Sequence, residues 1–169
     1  MIADWLYKMQ GDELLKRSGS YVLLIELENG FEGSVGMLGE VNLLAGRYLY
    51  FGSARGPGGM AARINRHLRS DKKPHWHIDR ITLAGQVSEI LAVPEDHECD
   101  LREKAMALMN LTVPVKGFGS SDCNRCPAHL LAISGDSTGL FARLVETVGG
   151  KIYPAMSLLP TTAAQPSTV

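Results

Sequence analysis

The 169-residue chain is long enough for one ordinary domain and too short for two of typical size. It is 45% hydrophobic and 21% charged, the balance of a globular protein, and no apolar run approaches the ~20 residues that span a bilayer. A formal net charge of -1 lends nothing to nucleic-acid binding by overall basicity, and an odd count of three cysteines speaks against a disulfide framework. Asp4, Asp12 and Glu13 suit neither a signal nor a transit peptide, so a cytoplasmic location is expected.

Residues 1–17 place Ile2, Trp5, Leu6, Met9 and Leu14 at roughly helical spacing, which predicts an N-terminal docking helix interrupted at Gly11. A β-rich run over residues 20–28 follows. Asn29-Gly30 is a hairpin dipeptide, so residues 31–37 are expected as the second strand of a hairpin. A turn-rich connection then enters a third strand at residues 47–51. Gly52, Gly56, Pro57, Gly58 and Gly59 break that strand before a helix predicted over residues 60–69. After a polar break at residues 70–74, residues 75–81 read as a short helix and 87–93 as a strand ended by Pro94. A helix over 97–111 follows, with Glu98 in its first turn, where the helix dipole suits a carboxylate. Residues 113–125 are glycine- and serine-rich loop, 129–133 a last strand and 140–148 a short helix. The main domain is thus expected over residues 18–150, with a disordered tail at 155–169 on its Thr, Ala, Gln, Pro and Ser content.

Charge is segregated along the chain. Arg55, Arg63, Arg66, Arg69, Lys72, Lys73 and Arg80, with His67, His75 and His77, lie between Ser53 and Arg80 against only Asp71 and Asp79. Acids gather at Glu95, Asp96, Glu98, Asp100 and Glu103, so an anion site beside a carboxylate cluster that could hold a cation is one reading, and two solvated faces of opposite sign is the other. Arg63 and His67, four residues apart, share a helix face. The preceding glycine loop offers backbone amides to phosphate, although Gly-Pro-Gly-Gly is also an ordinary turn and no Gly-Lys-Ser/Thr follows. Tyr21 and Tyr50 sit in strands, where a tyrosine is commonly core; a catalytic role needs the hydroxyl beside a metal or cation. His75-Trp76-His77 suits a surface or DNA-contacting role. Cys123 and Cys126 with His129 offer three soft ligands, and Cys99 a fourth, for a tetrahedral zinc site; buried thiols in a folded loop are the alternative.

Together these residues resemble the GIY-YIG nuclease superfamily, and within it a small uncharacterised family whose domain is found alone or fused to endonuclease III-type glycosylases. Gly19-Ser20-Tyr21 matches the first tripeptide and Tyr50-Phe51-Gly52 the second, with Ser20 and Phe51 departing at the central positions. Arg63 and His67 occupy the Arg-x3-His positions, and Glu98 matches the metal-binding glutamate. The Lys73-Pro74-His75-Trp76-His77-Ile78-Asp79 and Gly117-Phe118-Gly119-Ser120-Ser121-Asp122-Cys123 stretches look like the smaller family's own signatures. The separation of Tyr21 from Tyr50 exceeds the family's compact spacing, so a hairpin around Asn29-Gly30 is expected as an insertion.

The resemblance implies an α+β domain with a small central mixed or antiparallel sheet flanked by helices. It further implies an enzyme that hydrolyses DNA phosphodiester bonds with Mg2+ or another divalent cation, directed to DNA structure or damage as in DNA repair. Glu98 would hold Mg2+, Tyr21 would activate the attacking water with Tyr50 in support, Arg63 would neutralise charge on the phosphoryl oxygens, and His67 would assist. Arg55, Arg66, Arg69, Lys72, Lys73, His75 and His77 would contact the DNA. The alternatives are a non-catalytic nucleic-acid-binding module on the same scaffold and a domain that binds a protein partner.

Overall fold

In the computed structural model, residues 12–159 are described. Nine consecutive residues from Gly19, Gly-Ser-Tyr-Val-Leu-Leu-Ile-Glu-Leu, form the central strand β1 (Gly19–Leu27), buried at every position but Glu26. A strand apolar on both faces needs a partner at each edge and cover on each side. Both partners are antiparallel: β4 (Gly46–Ala54) pairs with Gly19 through Leu27, and β5 (Gln86–Pro94) lies on the other edge. Two-residue β6 (Leu111–Thr112) and β7 (Leu130–Ile133) extend the sheet beyond β4, and β8 (Lys151–Pro154) extends it beyond β5, in the order β6-β7-β4-β1-β5-β8. Every ladder is antiparallel.

Side-chain alternation divides the core in two. Tyr21, Leu23, Ile25 and Leu27 face one cluster with Met60 and Ile64 of α2 (Gly59–Leu68) and Ile78 and Ile81 of α3 (His77–Ala84). Val22 and Leu24 face the other, with Leu101 and Ala105 of α4 (Glu98–Leu108) and Leu140, Phe141 and Leu144 of α5 (Leu140–Val148). The protein is therefore α+β, a six-stranded antiparallel sheet between helices. No helix among the described residues is long and apolar enough to cross a membrane.

The expected hairpin differs. Gly30, at φ 72, turns the chain off the main sheet, and the strand after it, β2 (Phe31–Ser34), pairs with β3 (Glu40–Leu43) in a separate two-stranded sheet rather than with β1. The reason is burial: β2 is only half-buried at alternate positions, and a flank of β1 has to be a long strand that is itself apolar on both faces, as β4 is. The insertion between the tyrosines is thus the β2–β3 hairpin, turning at Gly36–Leu38.

Residues 1–11 of the docking helix lie outside the described residues; the described part is the one-turn α1 (Glu13–Lys16), capped by Asp12 and buried at Leu15. At the other end, residues 155–158 are not tail. They form α6 (Ala155–Leu158), with Ala155 and Leu158 buried against the first core cluster, while residues 160–169 lie outside the described residues.

Candidate functional site

Tyr21 is opposite Gly52 in the β1–β4 ladder, and Tyr50 lies two residues before Gly52, so both tyrosines project from the same sheet face. That face is covered by α2, whose last turn carries His67. The Tyr21 hydroxyl lies 2.7 Å from His67 Nε2, and the Tyr50 ring meets the same imidazole edge-on at 5.9 Å between centroids. Burial, with Tyr50 next, pushes the Tyr21 phenol well above its ordinary value, and burial pushes Tyr50 up to about 12 against the opposing pull of Arg63. Burial, with the Lys72 charge second, drives His67 down to about 3. A neutral imidazole is therefore hydrogen-bonded to a neutral phenol, with His67 Nδ1 buried and without a partner among the described residues.

Arg63, one turn before His67, is held by aromatic stacking. Its guanidinium lies 4.3 Å from the Trp76 ring centroid, and that of Arg66 lies 4.7 Å from it. Trp76 is fixed in turn by Asp79, a fully buried carboxylate that accepts from the His75 and Trp76 N–H groups at 2.8 and 2.9 Å and from Arg66 at 2.7 Å. Burial alone would raise the Asp79 pKa, yet these donors bring it below the ordinary carboxylate value.

Glu98 reaches the same place from the other side of the sheet. It opens α4, and the segment before it is tied to β1 by Ser20, whose hydroxyl donates to the Asp96 carbonyl at 2.7 Å. The Ser20 and Phe51 departures in the tripeptides both lie on the face away from the tyrosines; Phe51 fills the second core cluster and Ser20 anchors the approach to Glu98. Glu98 Oε2 is buried and has no hydrogen-bond partner among the described residues. His97 Nδ1, at 3.5 Å, does not supply one, since that nitrogen accepts from the Cys99 N–H.

Tyr21, Tyr50, Arg63, His67 and Glu98 all line one cleft of about 370 Å3, and His75, Trp76 and His77 complete its rim. The other residues expected at phosphate behave differently. Lys72 is buried; its ammonium donates to the His67 carbonyl at 2.6 Å, the Arg66 carbonyl at 3.2 Å and Thr82 Oγ1 at 2.7 Å, closing the C-terminus of α2 instead of facing solvent. Arg66 is engaged with Asp79, and Arg69 pairs with Asp71 at 3.0 Å. Arg55 and Lys73 are exposed and outside the cleft. The glycine loop is no anion cradle either. The Met60 N–H donates to the Arg17 carbonyl at 3.0 Å, and Gly59, at φ 60, lets the loop lie against the Lys16 and Arg17 carbonyls where a Cβ would collide. From the sequence Asp79 carries no site role, and Trp76 enters only with His75 and His77 as a surface or DNA-contacting group, although both fall inside the Lys73–Asp79 stretch singled out there.

Beside the cleft, with Cys123 and His129 on its wall, ligand atoms of Cys99, Cys123, Cys126 and His129 lie within 4.8 Å of one another, a cluster that could hold a metal ion such as zinc. Cys99 Sγ is 3.4 Å from Cys123 Sγ and 3.8 Å from His129 Nε2. Burial pushes the Cys99 and Cys126 thiols up; Cys123, also raised by burial, is brought below its ordinary value by the Arg125 and Cys126 N–H groups donating to its sulfur.

No curated protein and no solved structure matches the chain. Residues 20–149, the span that carries both tyrosines, Arg63, His67, Glu98 and the cysteine cluster, match the family model described as Domain of unknown function DUF123, and the chain belongs to that family.

Proposed function

We propose that the cleft hydrolyses DNA phosphodiester bonds with the help of a divalent cation, Mg2+ foremost, as the GIY-YIG nucleases do. The observation that carries this reading is that Tyr21, Tyr50, Arg63, His67 and Glu98, drawn from two strands and two helices, line one cleft.

The residues fit a hard cation: Glu98 Oε2 is a buried carboxylate oxygen with no hydrogen-bond donor among the described residues, at the edge of a cleft open to an incoming phosphate. Bound there, such an ion would polarise a phosphoryl oxygen and stabilise the leaving oxygen. The remaining work belongs to the chain. Arg63, held flat on Trp76, presents a guanidinium to the non-bridging oxygens. Tyr21 stays protonated, so it relays rather than stores charge, taking a proton from the attacking water while passing its own to His67 Nε2. His67 is a weak base in the empty cleft, and the negative charge of a seated phosphate favours its protonated form, so its basicity rises when substrate is present. Tyr50 packs edge-on against that imidazole and holds it in line. The exposed Arg55 and Lys73 are the candidates for flanking phosphates.

The test is a cleavage screen over plasmid, branched and damaged DNA with Mg2+ and other divalent cations, using the wild-type protein beside Glu98→Ala and Tyr21→Phe. Nicking that disappears in both variants supports the assignment, and nicking that survives in both removes it. DNA binding that weakens steeply with salt but is never accompanied by cleavage would leave a nucleic-acid-binding module.

A further inference from the structure

The cysteine cluster adjoins Glu98, with Cys123 and His129 on the cleft wall, and takes no part in the hydrolysis proposed above. We propose that Cys99, Cys123, Cys126 and His129 bind a zinc ion that clamps the 113–129 loop onto the N-terminus of α4 and so fixes the position of Glu98. The first half of this proposal is independent of the nuclease reading, and the second rests on it.

The geometry is that of a four-ligand site. A zinc ion with bonds of ~2.3 Å to sulfur needs tetrahedral ligand atoms about 3.8 Å apart. Cys99 Sγ lies 3.4 Å from Cys123 Sγ and 3.8 Å from His129 Nε2, and the fourth ligand atom falls within the same 4.8 Å envelope. Four protein ligands fill the tetrahedral shell of zinc and leave no open position for a substrate, the mark of a structural rather than a catalytic site.

The surroundings orient the ligands. The N–H groups of Arg125 and Cys126 point at the Cys123 sulfur at 3.4 and 3.3 Å, so the Cys123-to-Cys126 turn is wound as a chelate that favours a thiolate. His129 is pinned by its main chain, its N–H donating to the Phe118 carbonyl at 2.8 Å and its carbonyl accepting from the Phe51 N–H at 3.0 Å.

A metal here has a mechanical task. Residues 113–129 contain no helix or strand, an unusual length of irregular chain for so compact a domain. Cys99 lies next to Glu98 at the start of α4, and the loop carries Gly119, Asp122 and Cys123 to the cleft opposite the tyrosines. One ion bonded to both segments joins them in a way that Phe118 and Ala128, the loop's buried apolar residues beside Cys126, do not.

The experiment is metal analysis of the full chain purified under reducing conditions, then removal of metal with a strong chelator and reloading with Zn2+ or Co2+. One zinc per chain, tetrahedral cobalt–thiolate absorption on reloading, and loss of both in Cys123→Ser and Cys126→Ser are expected. Chelation should expose three thiols to a thiol reagent and speed hydrogen exchange over residues 97–100 and 113–129. A folded wild-type protein that takes up neither ion, and whose thiols react at once or are found paired in a disulfide, overturns the proposal. Unchanged exchange at residues 97–100 on chelation overturns the positioning role. Zinc-loaded protein that cuts no DNA would leave the metal site standing and remove the nuclease reading, while protein that takes up neither Zn2+ nor Co2+ yet cuts DNA with Mg2+ would do the reverse.

Discussion

Tyr21 lies across Gly52, its partner in the β1–β4 ladder, so closely that a methyl group at position 52 would fall within the phenol ring. The glycine of the second tripeptide is therefore a steric requirement of the tyrosine of the first. Gly52→Ala should cost ~1–3 kcal/mol in denaturant unfolding, the usual range for overpacking a core, and should reduce nicking as the hydroxyl leaves His67. In a Tyr21→Ala background the same change should cost little. Additive losses in that double-mutant cycle would mean that the two residues do not share the space.

Arg63 depends on Trp76 for its orientation. Trp76→Ala and Arg63→Lys are both expected to lower the nicking rate by ~10²-fold, the first by releasing the guanidinium and the second by replacing a planar fork with a point charge. Trp76→Phe, which keeps a ring under the guanidinium, should retain most of the activity. Rates measured beside circular dichroism separate these effects from unfolding.

Lys72 tests a position where fold and charge pattern disagree. Because its ammonium satisfies the last carbonyls of α2, Lys72→Met should lower stability by ~1–3 kcal/mol while leaving the salt dependence of DNA binding unchanged. Lys73→Ala and Arg55→Ala should do the opposite, each reducing the slope of log K against log salt by about 1 with little effect on unfolding. A shallower salt slope in Lys72→Met would return that residue to the binding surface.

His67 makes the protein acid-sensitive. Its pKa falls from 6.5 to about 3 on folding. Between those values the unfolded chain binds a proton that the folded chain refuses, so its contribution is fully present above pH 6.5 and is lost as pH falls toward 3, at up to about 1.4 kcal/mol per pH unit. Urea titrations at stepped pH should show this loss in the wild type and a flatter profile in His67→Gln. Equal acid sensitivity in both would exclude His67 as its source.

Much of the fold is legible because its signals are local. The apolar runs at β1, β4 and β5, and the helix at Leu140–Val148, follow from periodicity and punctuation alone. The partner of β2 was not legible, since Asn29-Gly30 announces a turn without saying which strands it joins. The edge strands β6 and β8 are two and four residues long and carry no usable period. At the site, the residue types that perform chemistry stand out when matched to a known motif, and Tyr21, Tyr50, Arg63, His67 and Glu98 do share a cleft. Their supports do not stand out: Asp79 and Trp76 act through distances that only the folded chain creates. Lys72 shows the converse, a cation in a polar stretch drawn inward by unpaired carbonyls. Gly59, the first residue of α2, likewise uses its freedom for close contact with the main chain of Lys16 and Arg17.

The position of β1 between β4 and β5 bears on how the cleft is held. Tyr21 rides on a strand hydrogen-bonded along both edges, so its amide and its neighbours belong to the segment that opens last in hydrogen exchange. Glu98 and the rim at Gly119 ride on a helix terminus and an irregular loop. The two walls of the cleft are therefore held differently, and amide exchange should be slower along the tyrosine strand than at Glu98 and Gly119.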